Sequence, residues 1–230
     1  MTLPTLGEAF FSIESDLKKK YQHPFQVIAV SKTKPYETVR QAYLEGIRCF
    51  GENYIPEAIE KFSKLREEFP EAKESVSLHH IGPTQSGTIR KLFGVFQFTH
   101  GVGSLSTLSE LLKRADKEKK LIRYFLQCNL TGEESKHGFS IEEILKQKDH
   151  LYGSENDFCK WEGFMGMGPS DGNKAGTQAA FQRLSILRNE HFPDKKLSMG
   201  MSGDFEWAME FGADYLRIGS LIFGARSYVG

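Results

Sequence analysis

The sequence predicts an α/β protein: a single (β/α)8 TIM barrel over residues 1–230, with an additional helix before the first strand. Three observations carry that expectation. Short β-branched or aromatic runs alternate with amphipathic, charge-decorated stretches, eight such runs fit within about 200 residues, and no glycine-rich loop follows the first run. Strands separated by helices require right-handed crossovers and hence a parallel sheet. An open doubly wound sheet is the competing architecture, but it usually carries a glycine-rich phosphate loop after strand one. Here residues 31–35 read Ser-Lys-Thr-Lys-Pro.

In chain order, a helical pattern over 6–21 comes first. Strands are expected near 27–32, 47–50, 77–82, 95–100, 122–130, 161–167, 197–201 and 215–219. Helical patterns between them cover 36–45, 54–69, 105–119, 141–150, 175–191 and 204–211. Segment 152–160 is the most loop-like and has room for a disordered insertion. No linker or low-complexity stretch marks a domain boundary.

Thirty Lys+Arg balance thirty Asp+Glu, so no global field draws the chain to nucleic acid or an anionic membrane. A hydrophobic fraction of 39% is enough for a sizeable core, yet no apolar run approaches the ~18–20 residues of a membrane span. The first residues lack the basic and apolar regions of a secretory signal. Three widely spaced cysteines, Cys49, Cys128 and Cys159, exclude a disulfide scaffold and favour a reducing compartment. A cytoplasmic, monomeric globular protein is expected.

Barrel proteins place their chemistry at the carboxyl ends of the strands. Those ends supply Lys32, Asn53, His80, His100, Asn129, Met167, Ser202 and the run Arg217-Ile218-Gly219-Ser220. Ile28, Val30 and Lys32 share one strand face by period-2 alternation. If that face points inward, an ammonium sits among apolar side chains, where burial lowers its pKa and equips it to form an imine with an aldehyde. The alternative is a strand-end lysine reaching for solvent. Lys34 reads as a solvated neighbour. After strands seven and eight, Met199-Gly200-Met201-Ser202-Gly203 and Gly219-Ser220 offer backbone N–H groups and hydroxyls to a phosphate, each charge-assisted bond contributing roughly 1.5–3 kcal/mol. Alternatively, Ser202 caps the next helix and the glycines serve turns. Asp204 suits a cap better than a phosphate contact. Arg217 faces opposite to Leu216 and Ile218; if those two pack on the helices, it enters the barrel and needs an acceptor, either a structural carboxylate or a ligand ring nitrogen. His79 and His80 are adjacent on a strand and face opposite ways, so no metal site is expected from them.

An imine-forming lysine on strand one plus a phosphate cradle at strands seven and eight fits an aldehyde carrying a phosphate, such as pyridoxal 5′-phosphate (PLP) or a sugar phosphate. The segments AVSKTKP (29–35), GIRCFGENY (46–54), HHIGPTQS (79–86), NLTGEESKHG (129–138) and the thirty residues 197–226 closely resemble the pyridoxal phosphate homeostasis proteins, also called the YggS or proline-synthase co-transcribed family. The resemblance runs nearly end to end. It implies a barrel like the N-terminal domain of alanine racemase, with Lys32 as the Schiff-base lysine. It implies that Met201, Ser202, Gly219 and Ser220 hold the phosphate, that Arg217 faces the pyridine nitrogen, and that Asn53 and His80 lie near the ring. Lys136 is similar to a family lysine near the site. Two departures stand out: Gln85-Ser86-Gly87-Thr88 replaces the family's usual Gln-Ser-Asn-Lys, and Ser220 stands where threonine is commoner. The resemblance implies a carrier or buffer that supplies PLP to PLP-dependent apo-enzymes. An amino-acid racemase is the competing class, and a sugar-phosphate lyase using Lys32 a distant third. A cationic Arg217 opposes ring-nitrogen protonation, and racemisation needs acid–base groups on both substrate faces. Alanine racemases also use arginine there, but take the second group, a tyrosine, from a further domain for which this chain has no residues left; Tyr54 or Tyr228 would have to substitute. The carrier is therefore the expected class.

Overall fold

The computed structural model describes residues 3–131 and 137–225. Within them, eight parallel strands pair in sequential order and close into a barrel. They are β1 (Gln26–Val30), β2 (Cys49–Glu52), β3 (Ser77–His80), β4 (Phe98–Val102), β5 (Ile122–Gln127), β6 (Cys159–Met165), β7 (Lys196–Met201) and β8 (Tyr215–Ile218). Closure is made by β1 and β8, with Ile28 opposite Arg217. The closed barrel predicted from strand count is the architecture, and the open sheet is excluded.

The helices among the described residues are α1 (Leu6–Lys20), α2 (Tyr36–Leu44), α3 (Ile55–Glu68), α4 (Ala72–Ser75), α5 (Ile89–Leu92), α6 (Leu105–Glu118), α7 (Ile141–Lys146), α8 (Lys148–Gly153), α9 (Lys174–His191), α10 (Phe205–Glu210) and α11 (Ser220–Phe223). The N-terminal helix α1 begins at a capping box: Thr5 Oγ1 accepts from Glu8 N–H and Glu8 Oε2 accepts from Thr5 N–H. It buries Phe10 and Leu17. The expected 141–150 helix is two pieces that meet at Gln147. Residues 152–160 hold the end of α8 and a tight turn bridged between Asn156 and Cys159, instead of an insertion.

Three single-turn helices were invisible to periodicity. Four residues make barely one turn, too few to show a 3.6-residue pattern. Two of them matter for the site. A 3-10 turn and α5 replace a full helix between β3 and β4, and α11 follows β8 directly. Strand β4 starts at Phe98 instead of 95, because Val95 and Phe96 are buried in the connection before it.

The core has two parts. The larger lies between strands and helices and takes every second strand residue, for example Val27 and Ala29 of β1. The smaller fills the barrel with Ile28, Cys49, Phe125, Met165 and Tyr215. At Gly163 a Cβ would lie 1.9 Å from Lys196 O, so glycine is what lets β6 and β7 approach there. Above these residues the interior becomes polar.

Candidate functional site

The carboxyl ends of the strands surround a cavity of about 420 Å³, within the range of small-ligand pockets. Lys32 reaches it because β1 alternates as its sequence implies: Ile28 fills the barrel, and Val30 and Lys32 line the cavity above it. Lys32 occupies the second position of a turn closed by Lys34 N–H donating to Ser31 O at 3.1 Å. Of the two readings of this strand-end lysine, the geometry selects the inward one. Lys34 departs from expectation, since it also lines the cavity and its Nζ donates to Ala225 O at 3.2 Å.

Arg217 enters from β8 and is buried. Its Nη1 donates to Ser198 Oγ at 2.7 Å and its Nη2 to Gly166 O at 3.2 Å. Burial pushes the guanidinium down to about 10, so it is charged at neutral pH. Ser198 Oγ also hydrogen-bonds with His100 Nδ1 at 2.8 Å, His100 Nε2 with His79 Nδ1 at 2.9 Å, and His79 Nε2 with Ser77 Oγ at 3.0 Å. Burial lowers His79 to about 3 and holds His100 well below its ordinary value. Both rings are therefore neutral, each with one N–H. With Arg217 donating at one end, Ser198 can donate to His100, His100 to His79, and His79 to Ser77. The chain is then satisfied without a second buried charge.

The wall next to β1 is made where β7 runs into α10 and β8 into α11. Ser202, Gly203, Gly219 and Ser220 line the cavity. Ser202 Oγ accepts from Gly219 N–H at 3.1 Å and so ties the two junctions together; it does not cap α10. The N–H groups of Ser202, Gly203 and Ser220 meet no acceptor among the described residues. Met201 also lines the cavity, but its N–H is taken by Asp204 Oδ1 at 2.5 Å. Asp204 thus braces the junction from behind. Burial raises its pKa, and the Met201 N–H and the Arg217 cation oppose that rise.

Asn53, one residue beyond β2, lines the cavity beside Ile81. His80, expected near the ring, does not line the cavity. It is on the outward face of β3, where it hydrogen-bonds with Thr99 Oγ1 at 3.1 Å and packs edge-on against Phe96. The adjacent His79 is the one inside the barrel. Lys136 and Tyr228 lie outside the described residues. No cluster of three metal-ligating side chains occurs among the described residues. Sequence reasoning missed Ser198 and Gly166, the acceptors of Arg217; the period of β7 places Ser198 inward, but nothing in composition singles it out.

Residues 15–227 match the family described as alanine racemase, N-terminal domain. The pyridoxal phosphate homeostasis protein of Pseudomonas aeruginosa is 36% identical, over 88% of this chain and 85% of its own length. The human protein of the same name is 36% identical over 88% of this chain and 77% of its own. The structure of PipY from Synechococcus elongatus without PLP superposes with a TM-score of 0.83 at 30% identity, covering 96% of this chain and 100% of PipY. The PLP-bound form of PipY gives 0.80 at 29%. Alanine racemase of Clostridium difficile shares the fold at 14% identity and a TM-score of 0.72. On its sequence and its barrel alike, the chain belongs to the pyridoxal phosphate homeostasis protein family.

Proposed function

We propose that this protein binds pyridoxal 5′-phosphate and holds it reversibly through Lys32, as a carrier or buffer and not as a catalyst. The observation that carries the reading is the placement of one amine, one buried guanidinium and a serine–glycine wall around a single cavity. The donor set fits the ligand. Ser202, Gly203, Gly219 and Ser220 suit a phosphate, Arg217 suits a ring nitrogen that accepts, and Asn53, Ile81 and Met167 suit the flanks of a ring. When bound, the ligand supplies an aldehyde carbon to which the Lys32 amine adds with loss of water. The covalent attachment is reversible by hydrolysis, as delivery requires.

Racemisation is disfavoured by what lines the cavity. Among the described residues the lining contains no tyrosine, histidine, cysteine or carboxylate; the one further amine there, Lys34, comes from the same turn as Lys32 and donates to Ala225 O. The reading extends to PLP-dependent apo-enzymes as recipients and to a monomer working in the cytoplasm, where the three buried cysteines stay as free thiols. No described helix is long and apolar enough to cross a membrane. The test is borohydride reduction of the protein after incubation with PLP, followed by peptide mapping. The expected result is a modified Lys32 peptide and no turnover of amino acids above that of free PLP. Protein that leaves PLP unbound, or steady racemisation, overturns it.

A further inference from the structure

Beneath the turn that carries Lys32 lies a buried ionic cluster with no part in the site described so far. Lys61, on α3, is almost fully buried, its side chain 6% exposed. Its Nζ lies 2.6 Å from Glu52 Oε1 and 2.7 Å from Glu57 Oε1, and donates to Ser31 O at 3.0 Å and Lys34 O at 3.2 Å. Ser31 and Lys34 are the two ends of the Lys32 turn. Ser31 Oγ donates to the same Glu52 oxygen at 2.7 Å, and Thr33 N–H donates to Glu57 Oε1 at 2.8 Å. Ser31, Thr33 and Lys34 of the turn are thus tied to this cluster.

The turn needs such ties. Thr33 holds φ +65°, in the left-handed region that β-branched residues avoid and that glycine usually supplies at the third turn position. Strained conformations of this kind persist only where their surroundings over-determine them. A buried ion pair is a poor source of net stability, because desolvation offsets its attraction, so fixing geometry is the better account of this one. We propose that Lys61, Glu52 and Glu57 are positioning residues for the Lys32 amine: they lock the strained turn so that the amine faces the cavity before any ligand arrives. This rests on the reading of Lys32 as the attachment point.

The test uses Glu57, whose side chain is 31% exposed, because removing Lys61 would strand the Glu52 carboxylate in the interior and endanger the fold. Two quantities are measured on the full chain: the rate at which a borohydride-reducible adduct forms with PLP, and the affinity for pyridoxine 5′-phosphate, which has the ring and phosphate but no aldehyde. Glu57→Ala should slow adduct formation by roughly tenfold to a hundredfold, as a misplaced reacting group does, and leave the analogue's affinity within about twofold. Glu57→Gln keeps an acceptor for Thr33 and should stay near wild type. Thr33→Gly, which adopts the turn without steric cost, should restore part of the rate in the Glu57→Ala background. Unchanged adduct formation in Glu57→Ala, or equal losses of rate and analogue affinity, overturns the positioning role alone. A wild-type protein that forms no adduct overturns the functional reading and this inference together.

Discussion

Arg217 Nη1 donates to Ser198 Oγ over 2.7 Å, and that oxygen lies 2.8 Å from His100 Nδ1. The guanidinium is therefore held by neutral acceptors, Ser198 Oγ and Gly166 O, instead of the carboxylate partner that a buried arginine usually finds. Its charge is left to act on the cavity it lines.

Replacing Ser198 by alanine should expose how much this acceptor matters. The substitution leaves a buried arginine N–H and a histidine nitrogen without a partner, at a cost of about 1–3 kcal/mol. Urea unfolding should show that loss, and PLP titration should show weaker binding. A variant as stable as wild type with unchanged PLP affinity would contradict the relay.

The phosphate wall is tested by comparing ligands. Ser202→Ala removes a hydroxyl from the cavity and the acceptor for Gly219 N–H. PLP affinity should fall by roughly tenfold or more, since a charge-assisted bond contributes about 1.5–3 kcal/mol. Pyridoxal, which lacks the phosphate, should bind both proteins alike. Equal losses for both ligands would move the phosphate elsewhere.

Acid stability follows from the buried histidines. Burial depresses His79 to about 3 and His80 to about 4, from an ordinary value of 6.5. A histidine whose folded pKa is lowered is neutral in both states above the unfolded value, so its contribution is complete there. Below pH 6.5 the unfolded chain takes up the proton first, and stability should fall as pH drops toward 4 and then 3. Urea midpoints at pH 7.5, 6 and 5 measure the slope. His80→Phe should make it shallower. Thr99 keeps its Thr84 partner at 2.6 Å, and PLP affinity should not change, because His80 lies outside the cavity. A large loss of affinity in that variant would return His80 to the site.

Exchanging the cation facing the ring tests the carrier reading electronically. Arg217→Glu places a carboxylate where it would favour a protonated ring nitrogen. The absorbance of bound PLP should then respond to pH differently from wild type. An identical spectrum with retained binding would remove Arg217 from contact with the ring.

Strand number, the N-terminal helix, the shared facing of Ile28, Val30 and Lys32 and the opposite facing of Arg217 to Leu216 and Ile218 were legible in the chain, because period-2 alternation is local and needs only a few neighbours to read. Alternation fixes relative facing alone. That His79 and His80 diverge follows from adjacency, but which one enters the barrel is set by closure, in the register that pairs Cys49 with Ser77 and Glu52 with His80. The same holds for the Ser202–Gly219 bond and the Lys61–Glu52 pair, which join elements that only folding brings together. Asp204 stands at the N-cap of α10 as its sequence reading allowed, but its side chain takes the Met201 amide and no helix N–H, a choice made by the packing of the last two junctions. The sequence by itself determined the period, the order and the chemistry of the strand ends. Only the tertiary structure decided which of those groups share a cavity, because long-range hydrogen bonds depend on distances that no local pattern contains.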